Sequence, residues 1–263
     1  MSTARYGLAG FGQQSAAVGA GGFTSTRVTC TEEYDGVSWS AGGAIATARR
    51  AVVGVGTLNA GVIYGGDTAA ARVACTEEYD GTSWSAGGAL STGRGGILPF
   101  GENDSAGAAG GTVNGSANCT CTEEYDGTAW SSGGTLNTAR REGAGSGTQN
   151  SGLVFGGRST VEVGSTEEYD GTTWTVQNGL NRVRQQLAGS GNGTQSAASA
   201  FGGGGTATSC TEAYDGTSWT NCNNMTTGRS ALGGAGTQFL AVAFGGVNAA
   251  NCACTEEFTG GYQ

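Results

Sequence analysis

The nonapeptide TEEYDGTSW stands at residues 76–84, and close relatives of it recur along the chain. They are TEEYDGVSW at 31–39, TEEYDGTAW at 122–130, TEEYDGTTW at 166–174 and TEAYDGTSW at 211–219. A sixth copy, TEEFTGGYQ at 255–263, departs from the pattern half-way. The aromatic residue at the fourth position of the nonapeptide recurs along the chain at intervals of 44 to 46 residues. A repeat of this length indicates a chain built from six similar structural units.

Other residues recur in step with the nonapeptide. An arginine follows each Trp by ten residues, and a Gly-Gly pair separates consecutive arginines. The arginines are Arg5, Arg49, Arg94, Arg140, Arg184 and Arg229. The glycine pairs begin at Gly21, Gly65, Gly110, Gly156, Gly202 and Gly245. Every unit therefore carries the same ordered set of markers.

One unit, residues 49–90, predicts four short strands. They lie near 51–56, 61–64, 73–79 and 83–85, and Asp80-Gly81 forms a tight hairpin turn between the last two. Small residues in the first strand suit a crowded axis, whereas Tyr and Trp suit the wedge between diverging outer strands. Several short strands in a unit of 40 to 50 residues favour propeller blades over a helical solenoid. The sequence predicts an all-β fold, a six-bladed β-propeller of four-stranded blades, with residues 1–263 as its single domain.

The two ends of the chain fit together within this repeat. Gln263 occupies the position of the expected Trp, and MSTAR at residues 1–5 matches the MTTGR and LSTGR that end outer strands elsewhere. Counting in register leaves five repeat positions unfilled between Gln263 and Met1. We therefore expect the N- and C-terminal segments to share the last blade and close the ring.

Composition excludes several classes of function. The chain has 53 Gly and one Pro, which argues against long helices. It has 21 acidic residues, 12 Arg and neither Lys nor His, for a net charge of -9, so nucleic acid is not an expected partner. Without His, Ser-His-Asp, Cys-His and His-ligated metal chemistry are excluded. No apolar stretch approaches the roughly 18 residues of a membrane span, and no signal peptide or membrane insertion is expected.

The order of these markers resembles the kelch repeat over essentially the whole chain. A Gly-Gly ends a hydrophobic strand (IYGG, VFGG, AFGG), a Tyr-Asp follows about a dozen residues on, and a Trp and an Arg come next. The sequence of the repeat, with the nonapeptide, GGALSTGR at 87–94 and GAGTQ at 234–238, is similar to that of kelch-like propellers of bacteriophages of aquatic bacteria. That resemblance implies a virion or fibre component that touches the host surface. The sialidase Asp-box is not matched, because Asp80 and Gly81 are adjacent.

The six recurring arginines are the candidate ligand-binding residues. They are expected near one mouth of the axial channel, where they could gather an anion such as a sulfated or acidic sugar through bidentate hydrogen bonds. Alternatively, each could pair with a glutamate of its own or the next blade, such as Glu77 or Glu78. The one-to-one recurrence of Arg and Glu favours pairing.

The remaining candidates for metal or covalent chemistry are carboxylates and cysteines. Adjacent glutamates of the nonapeptide point to opposite faces of a strand, so no metal site is expected. Five cysteines share one repeat position, too far apart on neighbouring blades for disulfides, and most are expected to be buried thiols. The C-x-C pairs are not expected to bind metal. Cys210 and Cys222 flank a hairpin and could form a disulfide across it.

The segments that join the second and third strands differ in sequence from one repeat to the next. They are residues 23–29, 67–74, 112–120, 158–165, 204–209 and 247–253. Variable loops on a rigid scaffold are where recognition tends to reside, and no catalytic pair stands outside the repeat register.

We therefore expect a non-enzymatic structural or host-recognition propeller of a bacteriophage particle, able to bind a glycan. It would act in the virion, with other virion proteins or a host-surface glycan or protein as partners, with self-association as a further option and without a cofactor. The alternatives are a carbohydrate-active enzyme on the same scaffold, or a cellular kelch-type adaptor, which would be cytoplasmic.

Overall fold

The structure, a computed structural model, describes residues 1–115 and 117–260. All strand pairs in it are antiparallel, and the strands fall into six successive groups, the blades. Blade 1 contains β1 Ala9–Gln13, β2 Ala16–Ala20, β3 Thr31–Tyr34 and β4 Trp39–Gly42. Blade 2 contains β5 Val53–Thr57, β6 Ala60–Tyr64, β7 Thr76–Tyr79 and β8 Trp84–Gly87. A small sheet of β9 Arg94–Gly95 and β12 Thr112–Val113 precedes and interrupts the third blade.

The remaining blades repeat this arrangement. Blade 3 contains β10 Leu98–Glu102, β11 Ser105–Ala109, β13 Thr122–Tyr125 and β14 Trp130–Ser132. Blade 4 contains β15 Ala144–Thr148, β16 Ser151–Phe155, β17 Thr166–Tyr169 and β18 Trp174–Gln177. Blade 5 contains β19 Ala188–Gly189, β20 Ala198–Phe201, β21 Thr211–Tyr214 and β22 Trp219–Asn221. Blade 6 contains β23 Gly233–Gly236, β24 Leu240–Phe244 and β25 Thr255–Thr259. The prediction of an all-β, six-bladed β-propeller is confirmed.

The ring closes where the two ends of the chain meet. The amino group of Met1 donates to the carbonyl of Ala253 at 2.9 Å, and Trp39 of blade 1 donates to the hydroxyl of Thr255 in blade 6 at 2.9 Å. The inner strands β1 and β23 contact each other like the other neighbouring inner strands. Blade 6 has three strands within the described residues, and the end of the predicted shared strand, 261–263, lies outside them.

The recurring nonapeptide is explained by contacts between blades. The indole of each Trp donates to the Thr that opens the nonapeptide of the preceding blade, as Trp84 does to Thr31 at 3.0 Å. The hydroxyl of each Tyr donates to the second Glu of the preceding blade, as Tyr169 does to Glu124 at 2.5 Å. These tyrosines are buried within the hydrophobic clusters between blades. These two bonds join neighbouring copies of the nonapeptide at five of the six blade interfaces, and the interface between blades 5 and 6 is the exception.

A second set of contacts encircles the axis. Two residues after each recurring arginine, a backbone N–H donates to the carbonyl of the equivalent residue in the preceding blade, at 2.6–3.1 Å. The six residues of this axial ring are Gly7, Ala51, Gly96, Glu142, Gln186 and Ala231. All six have left-handed φ angles between 49° and 63°, a conformation that L-residues other than glycine adopt at a cost. In the part of the chain that is described, the four non-glycine members are the only residues other than glycine with positive φ. The bonds between blades hold them in that conformation.

Candidate functional site

The two faces of the propeller carry different connections. The segments between second and third strands and those that link successive blades lie on one face, which we call the arginine face. The turns within the first and last strand pairs of each blade lie on the other, the aspartate face, where Gly81 of one turn packs against Asn59 of the other. The axial channel opens onto the arginine face.

The six recurring arginines lie inside the blades. Their side chains are fully buried, and each forms an ion pair with the first glutamate of its own blade at 2.6–3.0 Å. The pairs are Arg5–Glu32, Arg49–Glu77, Arg94–Glu123, Arg140–Glu167, Arg184–Glu212 and Arg229–Glu256. These contacts match the interpretation in which each arginine pairs with a glutamate. The guanidinium groups have no exposed surface with which to receive an anion.

These ion pairs also fix the connections between blades. The second oxygen of the same glutamate accepts a backbone N–H from the segment that leads into its blade, as Glu77 does from Ala46 at 2.6 Å. Burial lowers the pKa of Arg140, and the carboxylate of Glu167 opposes that shift. Because removing one partner would leave the other charge buried and unpaired, the pairs hold the connections in place.

The other six arginines all lie on the arginine face. They are Arg27, Arg50, Arg72, Arg141, Arg158 and Arg182. Three acidic residues accompany them there: Asp67, Glu142 and Glu162. The aspartate face has seven acidic residues and no arginine: Asp35, Asp80, Glu102, Asp104, Asp126, Asp170 and Asp215. The 11 remaining acidic residues are the two glutamates of each nonapeptide, reduced by one because Ala213 replaces the second glutamate of blade 5. An acidic chain therefore has one face with an excess of positive charge.

Five aspartates of the aspartate face cap the hairpin turns in which they lie. In each of five hairpin turns the aspartate side chain accepts the backbone N–H groups two and three residues further on, at 2.7–2.8 Å. These hydrogen bonds to the carboxylate lower the pKa of Asp35, Asp80, Asp126, Asp170 and Asp215. Capping of the turns by these aspartates is a structural role.

A cavity of about 390 Å³ occupies the mouth of the channel on the arginine face. The residues of the axial ring line it together with an aliphatic layer. This layer consists of Leu8, Val52, Ile97, Leu187 and Leu232. Three arginines, two carboxylates and three neutral polar residues complete the wall: Arg50, Arg72, Arg141, Asp67, Glu142, Tyr6, Thr112 and Gln186. Apolar atoms and convergent polar groups in a space of this size are typical of small-ligand sites.

The three arginines of the cavity differ in how far they are already engaged. Arg50 lies 3.4 Å from the Asp67 carboxylate, donates to the Tyr6 hydroxyl at 3.2 Å and stacks over Phe23. The side chain of Arg72 donates to the Val113 carbonyl at 2.9 Å.

Arg141 donates to the Asn118 side chain at 3.3 Å and lies 3.7 Å from the Glu142 carboxylate. A guanidinium group has five N–H donors, so Arg72 and Arg141 keep donors for a further partner.

The opposite end of the channel is bridged by blade 5. Arg184 and Gly202 are 18 residues apart, whereas the equivalent spacing is 16 in the other five blades. The extra residues let Asn192 reach across the axis, where its side chain donates to the Gly56 carbonyl of blade 2 at 3.3 Å. Its backbone N–H donates to Gly236 of blade 6 at 3.0 Å. This loop makes the arginine face the open end of the channel.

The cysteines do not pair as suggested. Cys210 and Cys222 are both free, because Cys222 lies opposite Thr211 and successive strand residues point to opposite sides. The disulfides are Cys119–Cys121 and Cys252–Cys254, within the C-x-C pairs. Across the described ranges 1–115 and 117–260, no group of three or more His, Cys, Asp or Glu residues could hold a metal ion.

The six recurring arginines are therefore not among the residues that line the cavity. The arginines that line the cavity are Arg50 and Arg141, each directly after a recurring arginine, and Arg72 from a variable segment. The longer spacing in blade 5 was visible in the sequence and is the signal that could have located the bridge.

No helix of the described residues is long and apolar enough to cross a membrane. No protein-family model matches the chain, and no curated protein matches it either.

Proposed function

We propose that this propeller is a non-enzymatic structural or host-recognition component of a bacteriophage particle, and that its arginine face is the recognition surface. The kelch-like order of its repeat and the wording of the nonapeptide support this origin. Its partners would be other virion proteins or a host-surface glycan or protein. It would act in the virion.

The separation of structural from variable residues carries the proposal. Nonapeptide residues bond to neighbouring blades, so changes there would be destabilising. The segments between second and third strands also bond to the next blade, as Asn118 does to the Arg158 carbonyl at 3.1 Å, but their residues differ from blade to blade around the cavity mouth. A rigid ring that presents six dissimilar loops is suited to recognition.

The tyrosines and carboxylates of the nonapeptide already bond to each other between blades, which fits a protein without catalytic activity. An enzyme on this scaffold would draw on tyrosines and carboxylates. Here Tyr169 bonds to Glu124, and the equivalent pairs join four other blade interfaces. The enzymatic alternative would have to use Asp67 and Glu142 in the cavity. Turnover of a glycoside that Asp67→Asn abolishes would favour the enzyme over the binding module.

The origin is tested by finding where the chain occurs. We expect mass spectrometry to detect it in purified phage particles, in several copies per particle. Detection only in uninfected cells would overturn the viral assignment and favour a cellular adaptor.

The recognition role is tested separately with the isolated propeller and host cells. We expect Arg72→Gln/Arg158→Gln to weaken adhesion of the labelled protein, because both change the arginine face. Glu102→Gln/Asp104→Asn, which change the aspartate face and involve none of the five capping aspartates, are the matched control. Equal effects of the two pairs would contradict a recognition surface on the arginine face.

A further inference from the structure

We infer that the cavity at the channel mouth is a binding site for an acidic sugar, a single uronic-acid-type residue held by its carboxylate. This inference deepens the recognition role proposed above by naming the ligand class of that face. It rests on four properties of the cavity: its volume, its arginines, its acceptors and its aliphatic layer.

The cationic side of the cavity is built by arginines from two parts of the ring. Arg50 and Arg72 come from blade 2, where Arg72 reaches over to the Val113 carbonyl of blade 3. Arg141 comes from the segment that leads into blade 4. Three guanidinium groups and two carboxylates line the cavity, and the Asp67 carboxylate is shared with Arg27 at 3.2 Å, so at least one positive charge is left uncompensated. A ligand with one negative charge would balance it.

Arg72 and Arg141 are the groups that would bind the carboxylate. Each has one side-chain hydrogen bond within the described part of the chain, to Val113 and to Asn118 respectively. Both remain partly exposed, unlike the recurring arginines. The planar fork of a guanidinium group matches a carboxylate in a bidentate arrangement. Arg50 is already held by Asp67, Tyr6 and Phe23, and would mainly fix the shape of the wall.

The rest of the cavity suits the body of a sugar. Glu142 and Gln186 project from the axial ring and can bond hydroxyl groups, as can Thr112. The aliphatic layer would pack against the C–H groups of a pyranose ring. A cavity of about 390 Å³ accommodates one sugar residue with its bridging waters. An inorganic anion would contact only the arginines. The polar side chains that can bond hydroxyl groups and the aliphatic layer would then have no ligand to contact.

The position of the cavity also suits a sugar on a polymer. The mouth opens on the arginine face among the variable loops, while Asn192 bridges the other end of the channel. A terminal or branch residue of a surface polysaccharide can therefore enter from one side only. The loops would then contact the neighbouring residues of the chain.

The test compares two probes that differ in one group, sodium D-glucuronate and D-glucose, titrated into the intact protein by calorimetry or NMR. We expect glucuronate to bind at least tenfold more tightly than glucose. We expect Arg72→Gln and Arg141→Gln each to weaken glucuronate binding roughly tenfold, the effect of losing one charge-assisted contact. Binding of glucose should stay unchanged in both variants.

Arg182→Gln is the matched control, because it removes the same charge from the same face at an exposed position outside the cavity. Arg72→Lys, which keeps the charge and loses the fork, should fall between wild type and Arg72→Gln and guards against misfolding of the glutamine variant. Equal binding of the two probes, or equal losses in Arg182→Gln and Arg72→Gln, would overturn the inference. Neither result bears on whether the chain is found in phage particles, so the two proposals fail separately.

Discussion

The interface between blades 5 and 6 offers a direct test of the contacts that unite the propeller. Five interfaces carry a bond from a Tyr hydroxyl to the second Glu of the preceding nonapeptide. The sixth has lost both partners, because Ala213 replaces the glutamate and Phe258 replaces the tyrosine. Cys222, opposite Thr211, takes the strand position at which blades 1 to 3 have a glycine packed against the Tyr–Glu pair. Burial raises the pKa of the Cys222 thiol.

Restoring the missing pair should therefore stabilise the interface only when both partners return. In a Cys222→Gly background, which makes room, Ala213→Glu alone would place a carboxylate against Phe258. We expect a loss of about 1–3 kcal/mol in the free energy of unfolding, the cost of an unpaired polar group. Phe258→Tyr alone should cost less, because its position is only half-buried. The double change should recover about 1.5–3 kcal/mol as a coupling energy, the value of a hydrogen bond to a charged group.

Urea denaturation followed by Trp fluorescence would measure all four proteins. The matched control is the reverse cycle at an intact interface, with Tyr169→Phe and Glu124→Ala, which should give a coupling of the same sign and similar size. A coupling under about 0.5 kcal/mol in both cycles would refute the idea that the Tyr–Glu bond joins the blades, since additive effects indicate independent sites.

Three further predictions concern the buried charges, the tyrosines and the axial ring. Arg140→Met should lower the free energy of unfolding by about 3–5 kcal/mol, because Glu167 would be left buried and unpaired, and Arg140→Met/Glu167→Leu should recover much of that loss in the same urea experiment. Melting temperature should fall as pH rises from about 10 to about 12, because tyrosines kept neutral by the fold have their pKa raised to about 12 by burial and by a neighbouring carboxylate. The stabilisation is complete below the unfolded-state pKa and is lost through the folded-state pKa; a melting temperature unchanged to pH 12 would contradict this for Tyr34, Tyr79, Tyr125 and Tyr169. Ala231→Gly should stabilise the protein by about 0.5–1 kcal/mol, because it relieves a left-handed φ of 51°, whereas Gly96→Ala should destabilise it; calorimetric melting that ranked the two variants in the opposite order would count against strain in the ring.

The fold could be predicted from the sequence because each blade is written in the same register. The spacing of Tyr, Trp, Arg and Gly-Gly specifies the blade number, the strand order and the meeting of the chain ends. The alternation of strand side chains limits which neighbours can converge, and the one-to-one recurrence of Arg and Glu favoured the buried pairs. These features depend on repeated positions, which periodicity shows directly.

The cavity could not be predicted, because it is built from residues that break the repeat. Arg49 and Arg50 are adjacent, and only the backbone path into the axial ring decides that the first is buried and the second lines the cavity. Arg72 reaches blade 3 from a loop position whose residue varies between blades, such as Arg27 in blade 1 and Asn118 in blade 3. The C-x-C disulfides likewise depend on local loop geometry that spacing alone does not reveal.

A net charge of -9 would by itself oppose the binding of an anion, and the placement of the charges resolves the conflict. The glutamates of the nonapeptide have bonding partners within or between blades, and seven other acidic residues lie on the far face. An inner strand of five residues separates the faces by about 16 Å, at about 3.3 Å per residue. That distance exceeds the Debye length of about 8 Å at physiological salt, so the aspartates are largely screened from the channel mouth. An approaching anion therefore meets the field of Arg50, Arg72 and Arg141 rather than that of the whole protein.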